Sequence, residues 1–457
     1  MEFKTVNPFN GNELASYRVF TDRKIEDVLS GSDKAFRLWK KSRLNDRLSL
    51  VAKLKSSLLA EKNNLSRLIA LEMGKPIRDG IAEVEKCAKL CDYYIENSEK
   101  FLASEIHQTE YKSSFVCFQP MGAIFAIMPW NFPYWQLFRF AVPTLISGNT
   151  VVLKHAPNVT GCSLAIEKLF TKAGFPIGVF SSIIATEEQA SKVIESPYIK
   201  GVTLTGSCRA GRAVASKAGE CLKKCVVELG GSDPYIILDD ADLDKASDIC
   251  IKSRMVNSGQ TCISAKRFIV VERVMKNFTE LMLSKMSKIK FGNPLDPDTT
   301  YGPLARHDIR DSLHSQVQDS IRAGARCLLG SKMPSGGGYF YEATLLDKVT
   351  PDMSVLREET FGPVAPIITA KDEEDAIGLA NDTAFGLGAA VFTRDIEKGI
   401  YIAQHRLNAG TCVVNDFVRS DPRFPFGGIN ESGFGRELSY YGMREFQNSK
   451  TIYASAL

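Results

Sequence analysis

The sequence predicts an α/β protein built on doubly wound parallel sheets. Short apolar runs of strand length alternate with helical stretches through most of the chain, which is the pattern of βαβ units. Several of those runs are apolar at nearly every position, as strands covered on both faces must be. At 457 residues the chain also exceeds what one hydrophobic core usually holds, so two domains and perhaps a smaller third element are expected.

Residues 23 to 99 come first. DVLSGSDKAFRLWKKS and RLSLVAKLKSSLLAEKNNLSRLIALEMGK repeat apolar residues at three and four with charges between, which predicts amphipathic scaffold helices. From 101 to 120 the pattern shifts towards alternation in HQTEYKSSFVCFQP, which predicts surface strands. GAIFAIMP, TVVLKHAP, GVFSSIIAT and GVTLTG then read as buried strands, with helices around 135–147, 160–173, 187–196 and 208–224. A second α/β series starts near Ser232 and reaches about residue 421, and the glycine-rich PFGGINESGFGRE and strand-like SKTIYASAL close the chain.

Composition narrows the function classes. A net charge of +4 without an arginine- or lysine-rich block gives no means of neutralising a run of phosphates, so no nucleic acid partner is expected. The N-terminus lacks the basic-then-apolar pattern of a secretory signal, and no run of 18 apolar residues exists to span a bilayer. No membrane association is expected, and the expected location is cytoplasmic. Eleven cysteines is an odd number and none form a CxxC pair, which argues against a disulfide framework or a zinc ribbon. The five histidines fall in no HExxH arrangement, so no metal site is expected.

Five local patterns carry possible chemistry. GSCRAG, Gly206 to Gly211, follows a strand and opens a helix, where free backbone N–H groups and the helix dipole make an anion site; its glycines could equally just form the turn. Glu228 ends the strand of VVELGG against two glycines, as a catalytic carboxylate or as an ordinary solvated one. In PWNFP, two prolines hold Asn131, either as an oxyanion donor or as the cap of a helix beginning near Tyr134. EETFGP places Glu358 and Glu359 at a turn, which by itself is weak. A fifth pattern, VNSGQTCISAK, sets Cys262 after Gly259, Gln260 and Thr261, as a nucleophile or as small apolar filler.

Taken together, PWNFP, the lysine of VLKH, TGS, ELGG, GQTC, EETFGP and PFGGxxxSGxGRE stand in the order they take in the NAD(P)-dependent aldehyde dehydrogenase superfamily, which this chain resembles from about residue 6 to 452. The resemblance implies the aldehyde dehydrogenase fold: a Rossmann-like cofactor domain (1–100, 121–231 and 422–437), an α/β catalytic domain (232–421), and a β oligomerisation element (101–120 and 438–457). It implies that Cys262 attacks the aldehyde, that Asn131 and the Cys262 backbone N–H hold the oxyanion, and that Glu228 activates water. An aldehyde C–H donates hydride only after such an addition, because the oxyanion on the same carbon drives the hydride out.

For the cofactor, the resemblance assigns Lys154 to the adenosine ribose, Gly206 and Ser207 to the pyrophosphate, and Glu359 and Phe361 to the nicotinamide ribose and ring, with Trp130 close by. Many NAD-preferring members carry a glutamate three residues after the lysine. Here that place is Pro157, so NADP should be tolerated beside NAD.

The tunnel to Cys262 must choose the aldehyde. Trp135 and Arg139 are four apart and share a helical face that the resemblance points into the tunnel. Arg139 either holds a substrate carboxylate or makes an internal salt bridge; Ser420, with Arg419, would lie at the outer rim. FVRSDPRFPF and KHAP resemble the short bacterial succinate-semialdehyde dehydrogenases, which implies a small-molecule aldehyde substrate converted to succinate in 4-aminobutyrate breakdown. The alternatives are a broad-range enzyme for medium-chain or aromatic aldehydes, or a catalytically silent binding protein. The strands at both ends of the oligomerisation element imply a homodimer or homotetramer.

Overall fold

The run AIFAIM forms the strand Ala123–Met128, flanked on both sides by parallel partners, Thr150–His155 and Ile199–Thr205. From there the chain winds outward to Phe180–Ile183 on one side and, after recrossing, to Lys224–Glu228 on the other. The two halves of this six-stranded sheet therefore part beside Ala123–Met128, at a topological switch point where α/β sheets bind ligands at their carboxyl ends. The sixth strand is Gly433–Phe434, which returns from the far end of the chain to pair antiparallel with Val227 and Glu228.

The computed structural model describes residues 1–455. Its second large sheet has seven strands, in the order Arg326–Leu329, Thr344–Asp347, Val364–Ala370, Ala265–Val271, Asp233–Ile237, Gly388–Phe392 and Thr411–Val414. All but the first are parallel to their neighbours. Ala265–Val271 and Asp233–Ile237 are buried at every position, which accounts for their unbroken apolar pattern.

A three-stranded sheet joins Glu105–Ile106, Ser113–Pro120 and Gln447–Ala454, the last two paired along their whole length. Residues 456 and 457 of the expected oligomerisation element lie outside the described residues. The helices Asp22–Trp39, Leu44–Met73 and Ile77–Leu102 account for the amphipathic N-terminal region. The antiparallel pair Glu2–Val6 with Glu13–Arg18 lies outside the sequence expectations; Asn7 and a left-handed Gly11 close its turn. The helix expected over 208–224 stops at Glu220, because Lys224 already belongs to the strand that ends in Glu228.

What matters for function is how the edges meet. Asn131, Gly206 and Glu228 stand at the carboxyl ends of first-sheet strands, whereas Cys262 and Phe361 stand just before the amino ends of second-sheet strands. The two edges face each other. No helix among the described residues is long and apolar enough to cross a membrane.

Candidate active site

The turn before Cys262 is built in a strained conformation. Asn257, Ser258 and Gly259 all have left-handed backbones, with φ of 55°, 55° and 79°. For the two that are not glycine this costs on the order of 1–2 kcal/mol each. Side chains hold the turn in place: Asn257 Nδ2 donates to the Asn131 carbonyl at 2.8 Å, Ser258 Oγ to the Gly302 carbonyl at 2.9 Å, and buried Arg254 to the Gly259 carbonyl at 2.6 Å. A Cβ on Gly259 would come within 2.2 Å of the Gly362 carbonyl, so glycine is required where the nucleophile turn crosses EETFGP.

Asn131 does not cap the following helix. Its Nδ2 donates across the interface to the Gln260 carbonyl at 3.1 Å, while the helix Trp135–Ile146 is capped by Glu83, which accepts from the Tyr134 and Trp135 N–H groups at 2.9 and 3.0 Å. Glu83 is itself paired with buried Lys75. His155 fixes the same turn from beneath, with Nε2 against the Pro133 carbonyl at 2.9 Å and Nδ1 accepting from the Ala156 N–H. Asn131 is thus held by both sheets.

Glu228 is not the solvated glutamate its local sequence allows: it is 2% exposed and neither carboxylate oxygen has a hydrogen-bond partner. Burial, with the nearby Glu437 charge adding, pushes its carboxyl well above the usual carboxylate range, and Arg139 partly opposes this. Gly427 gives it room, since a Cβ there would lie 2.6 Å from Glu228 Oε1.

Of the two readings of Arg139, the structure forms the internal ion pair. Its guanidinium is buried against the Glu437 carboxylate and also reaches Thr205 Oγ1 at 3.3 Å. That pair matches the Arg139 charge within the protein. Arg139 nonetheless lines the same cavity as Cys262, a space of about 150 Å³ also bounded by Trp135, Phe417, Ser420 and Lys86. Trp135 Nε1 donates to Ser420 Oγ at 2.9 Å, which fixes both at its wall. Burial pushes the Cys262 thiol up to about 11, with the Arg139 and Lys266 charges opposing.

On the other side of Cys262, Glu359 accepts from the Gly231 N–H at 3.2 Å and from Lys266 at 2.6 Å. Trp130 and Phe361 meet edge to face with centroids 5.6 Å apart.

The Aldehyde dehydrogenase family model matches residues 1–452. This chain belongs to the aldehyde dehydrogenase family. An Escherichia coli (strain K12) succinate semialdehyde dehydrogenase, described as NAD(P)+-dependent and named Sad, is 43% identical over 449 residues, covering 98% of this chain and 97% of that protein. A Deinococcus radiodurans succinate-semialdehyde dehydrogenase, described as NADP+-dependent, is 40% identical over 452 residues, covering 99% of this chain and 94% of that protein. The crystal structure of succinic semialdehyde dehydrogenase from Streptococcus pyogenes in complex with NADP+ superposes with a TM-score of 0.97 at 34% identity, covering 99% of this chain and 100% of that one.

Aldehyde dehydrogenase chemistry needs a dinucleotide, and this aldehyde dehydrogenase has residues that fit one. Lys154 is 7% exposed and forms no ion pair among the described residues, and burial lowers its pKa; a buried cation of this kind suits a ribose hydroxyl or a 2′-phosphate. Ser207 accepts from the Ala210 N–H and caps the helix Cys208–Glu220, leaving the Gly206 turn at a helix N-terminus as an anion site. Pro157 follows the Lys154 strand and puts no carboxylate in the way of a phosphate.

Sequence reading missed two lysines of this aldehyde dehydrogenase. Lys266, in the strand after Cys262, bonds the Gly231 and Cys262 carbonyls as well as Glu359. Lys86 enters the cavity from the helix Ile77–Leu102. Both read in sequence as ordinary charges of patterned segments.

Proposed function

We propose that this aldehyde dehydrogenase oxidises succinate semialdehyde to succinate with NAD or NADP, the closing step of 4-aminobutyrate breakdown. The observation that carries the reading is a narrow cavity with Cys262 in its wall and positively charged and hydroxyl side chains, Lys86 and Ser420, also lining it. The relatives named above supply the substrate's identity.

In this reading Cys262 Sγ adds to the aldehyde carbon as its proton passes to Glu228. A carboxylate whose pKa is raised by burial is a better base than a free one, and this helps a thiol that is protonated at neutral pH. The oxyanion accepts from Asn131 Nδ2 and from the Cys262 backbone N–H. Trp130, Lys154, Pro157, Gly206, Ser207, Glu359 and Phe361 would line the site of NAD or NADP, which when bound would supply the hydride acceptor. Once Glu228 has released the thiol's proton to solvent, it deprotonates the water that hydrolyses the thioester, and the departing Cys262 sulfur regains a proton. Trp135 and Ser420 orient the substrate chain.

A broad-range enzyme is the second reading. One observation favours it: the Arg139 charge is already matched by Glu437. Reduced-nicotinamide formation from succinate semialdehyde, butanal and hexanal, each with NAD and with NADP, separates the two. Comparable kcat/KM for the acidic and neutral aldehydes would sink the first.

The enzyme acts as a homodimer or homotetramer in this reading. Gln447–Ala454 and Thr411–Val414 each end a sheet with an open backbone edge, which invites pairing with a second copy. Its place is the cytoplasm, since all eleven cysteines are free thiols, which suits a reducing compartment. Sedimentation or light scattering gives the assembly size.

A further inference from the structure

Lys86 is a cation with an unusual setting. Its ammonium donates to Ser420 Oγ at 2.9 Å and lies 3.8 Å from the centre of the Trp135 ring, yet it forms no ion pair among the described residues. The acids near it are already engaged: Glu83 with Lys75 on its own helix, and Asp421 with Arg423 on the opposing loop. The other cations facing the cavity are matched as well, Arg139 by Glu437 and Arg419 by Asp416. Cys87, beside it in sequence, is buried with its thiol pushed well up, so it brings no charge.

We propose that Lys86, with Ser420 beside it, receives the distal carboxylate of a carboxy-aldehyde while Cys262 meets the aldehyde carbon; this rests on the succinate-semialdehyde reading above. The argument is one of unmet charge. A cation in a partly desolvated, largely apolar cavity is costly unless an anion completes it, and here only an incoming ligand does so. Ser420 Oγ already accepts from both Lys86 and Trp135 Nε1, which turns its own hydroxyl proton outward as a third donor for the same carboxylate. The Trp135 face supports the ammonium in the meantime. Burial, with the Arg139 charge adding, brings the Lys86 ammonium down to about 8. Its charge is therefore lost in mildly alkaline solution unless a carboxylate holds it.

The test compares kcat/KM for succinate semialdehyde with that for butanal, a neutral aldehyde of the same carbon count, in wild type, Lys86→Met and Lys86→Arg. The acid-to-neutral ratio should fall by about ten- to a hundredfold in Lys86→Met, through KM for the acid, and stay within about threefold of wild type in Lys86→Arg. A wild-type preference that Lys86→Met keeps overturns the role of Lys86 and leaves the substrate reading standing. No preference in wild type overturns the substrate reading itself. Should Lys86→Met fail to fold, the wild-type ratio still decides: it falls as pH rises from 7 to 9 if Lys86 binds the carboxylate, and a flat ratio overturns the proposal. Titration of Cys262 and Glu228 acts on both aldehydes and cancels in the ratio.

Discussion

The Lys266 ammonium lies 2.6 Å from Glu359 Oε1 and has no solvent exposure. Its other two bonds go to the carbonyls of Cys262 and Gly231, both at 2.7 Å, so one side chain spends all three donors joining the nucleophile turn, ELGG and EETFGP. Lys266→Met leaves two carbonyls without this donor and Glu359 with only the Gly231 N–H at 3.2 Å. The expected cost is about 3 kcal/mol of stability, read as a lower urea midpoint. Because Glu359 then loses its tether, KM for the dinucleotide should rise more than KM for the aldehyde.

Asn131→Ala removes a donor whose amide bonds the Gln260 carbonyl across the interface and is not needed as a helix cap. The expected loss in kcat is about 10²- to 10³-fold. Stability should change little beyond the single bond to Gln260, and thermal unfolding beside the kinetics separates the two effects.

Glu228→Gln keeps the shape of the pocket but cannot accept a proton. Because Glu228 serves both the thiol and the water, the first reduced nicotinamide should form more slowly and the thioester then persist, so rapid mixing should show at most one reduced nicotinamide per subunit followed by turnover slowed by about 10² or more. A variant that turned over at the wild-type rate would remove Glu228 from the mechanism.

His155 makes an acid-sensitive contribution to stability. Burial pushes its pKa down to about 4 from the ordinary 6.5, so below pH 6.5 the unfolded chain takes up a proton that the folded chain refuses. Stability from this group is whole above pH 6.5 and declines as pH falls to 4, by about 3 kcal/mol over that window. Urea titrations at pH 7 and 4.5 should show a larger acid loss for wild type than for His155→Asn.

The parallel sheets were legible because buried strands write themselves as unbroken apolar runs; Asn131, Gly206 and Glu228 were visible at or after the ends of such strands, but only the family resemblance gave them roles. What could not be read locally was the company each residue keeps. Glu228 resembles a solvated glutamate until Gly427 and Gly433 close over it from the far end of the chain. Arg139 shows no partner within its own helix, because Glu437 arrives from another segment altogether. Asn131 sits where a cap would, but Glu83 from a different helix takes that duty. Lys86 falls in EVEKCAKL, an amphipathic stretch in which any lysine reads as solvated, and only the packed cavity reveals its missing counter-charge.

The closing strand Gly433–Phe434 has a consequence for how the enzyme comes into being. Ser432 Oγ bonds the Gly230 carbonyl 202 residues earlier, and Gly433 completes the sheet beside Glu228. A chain emerging from the ribosome has therefore exposed Cys262 and Glu228 long before the segment that walls in the base has been made. Glu228 is walled in only after that segment has been made, and a nick beside Gly433 would open the wall again while leaving most of both sheets intact.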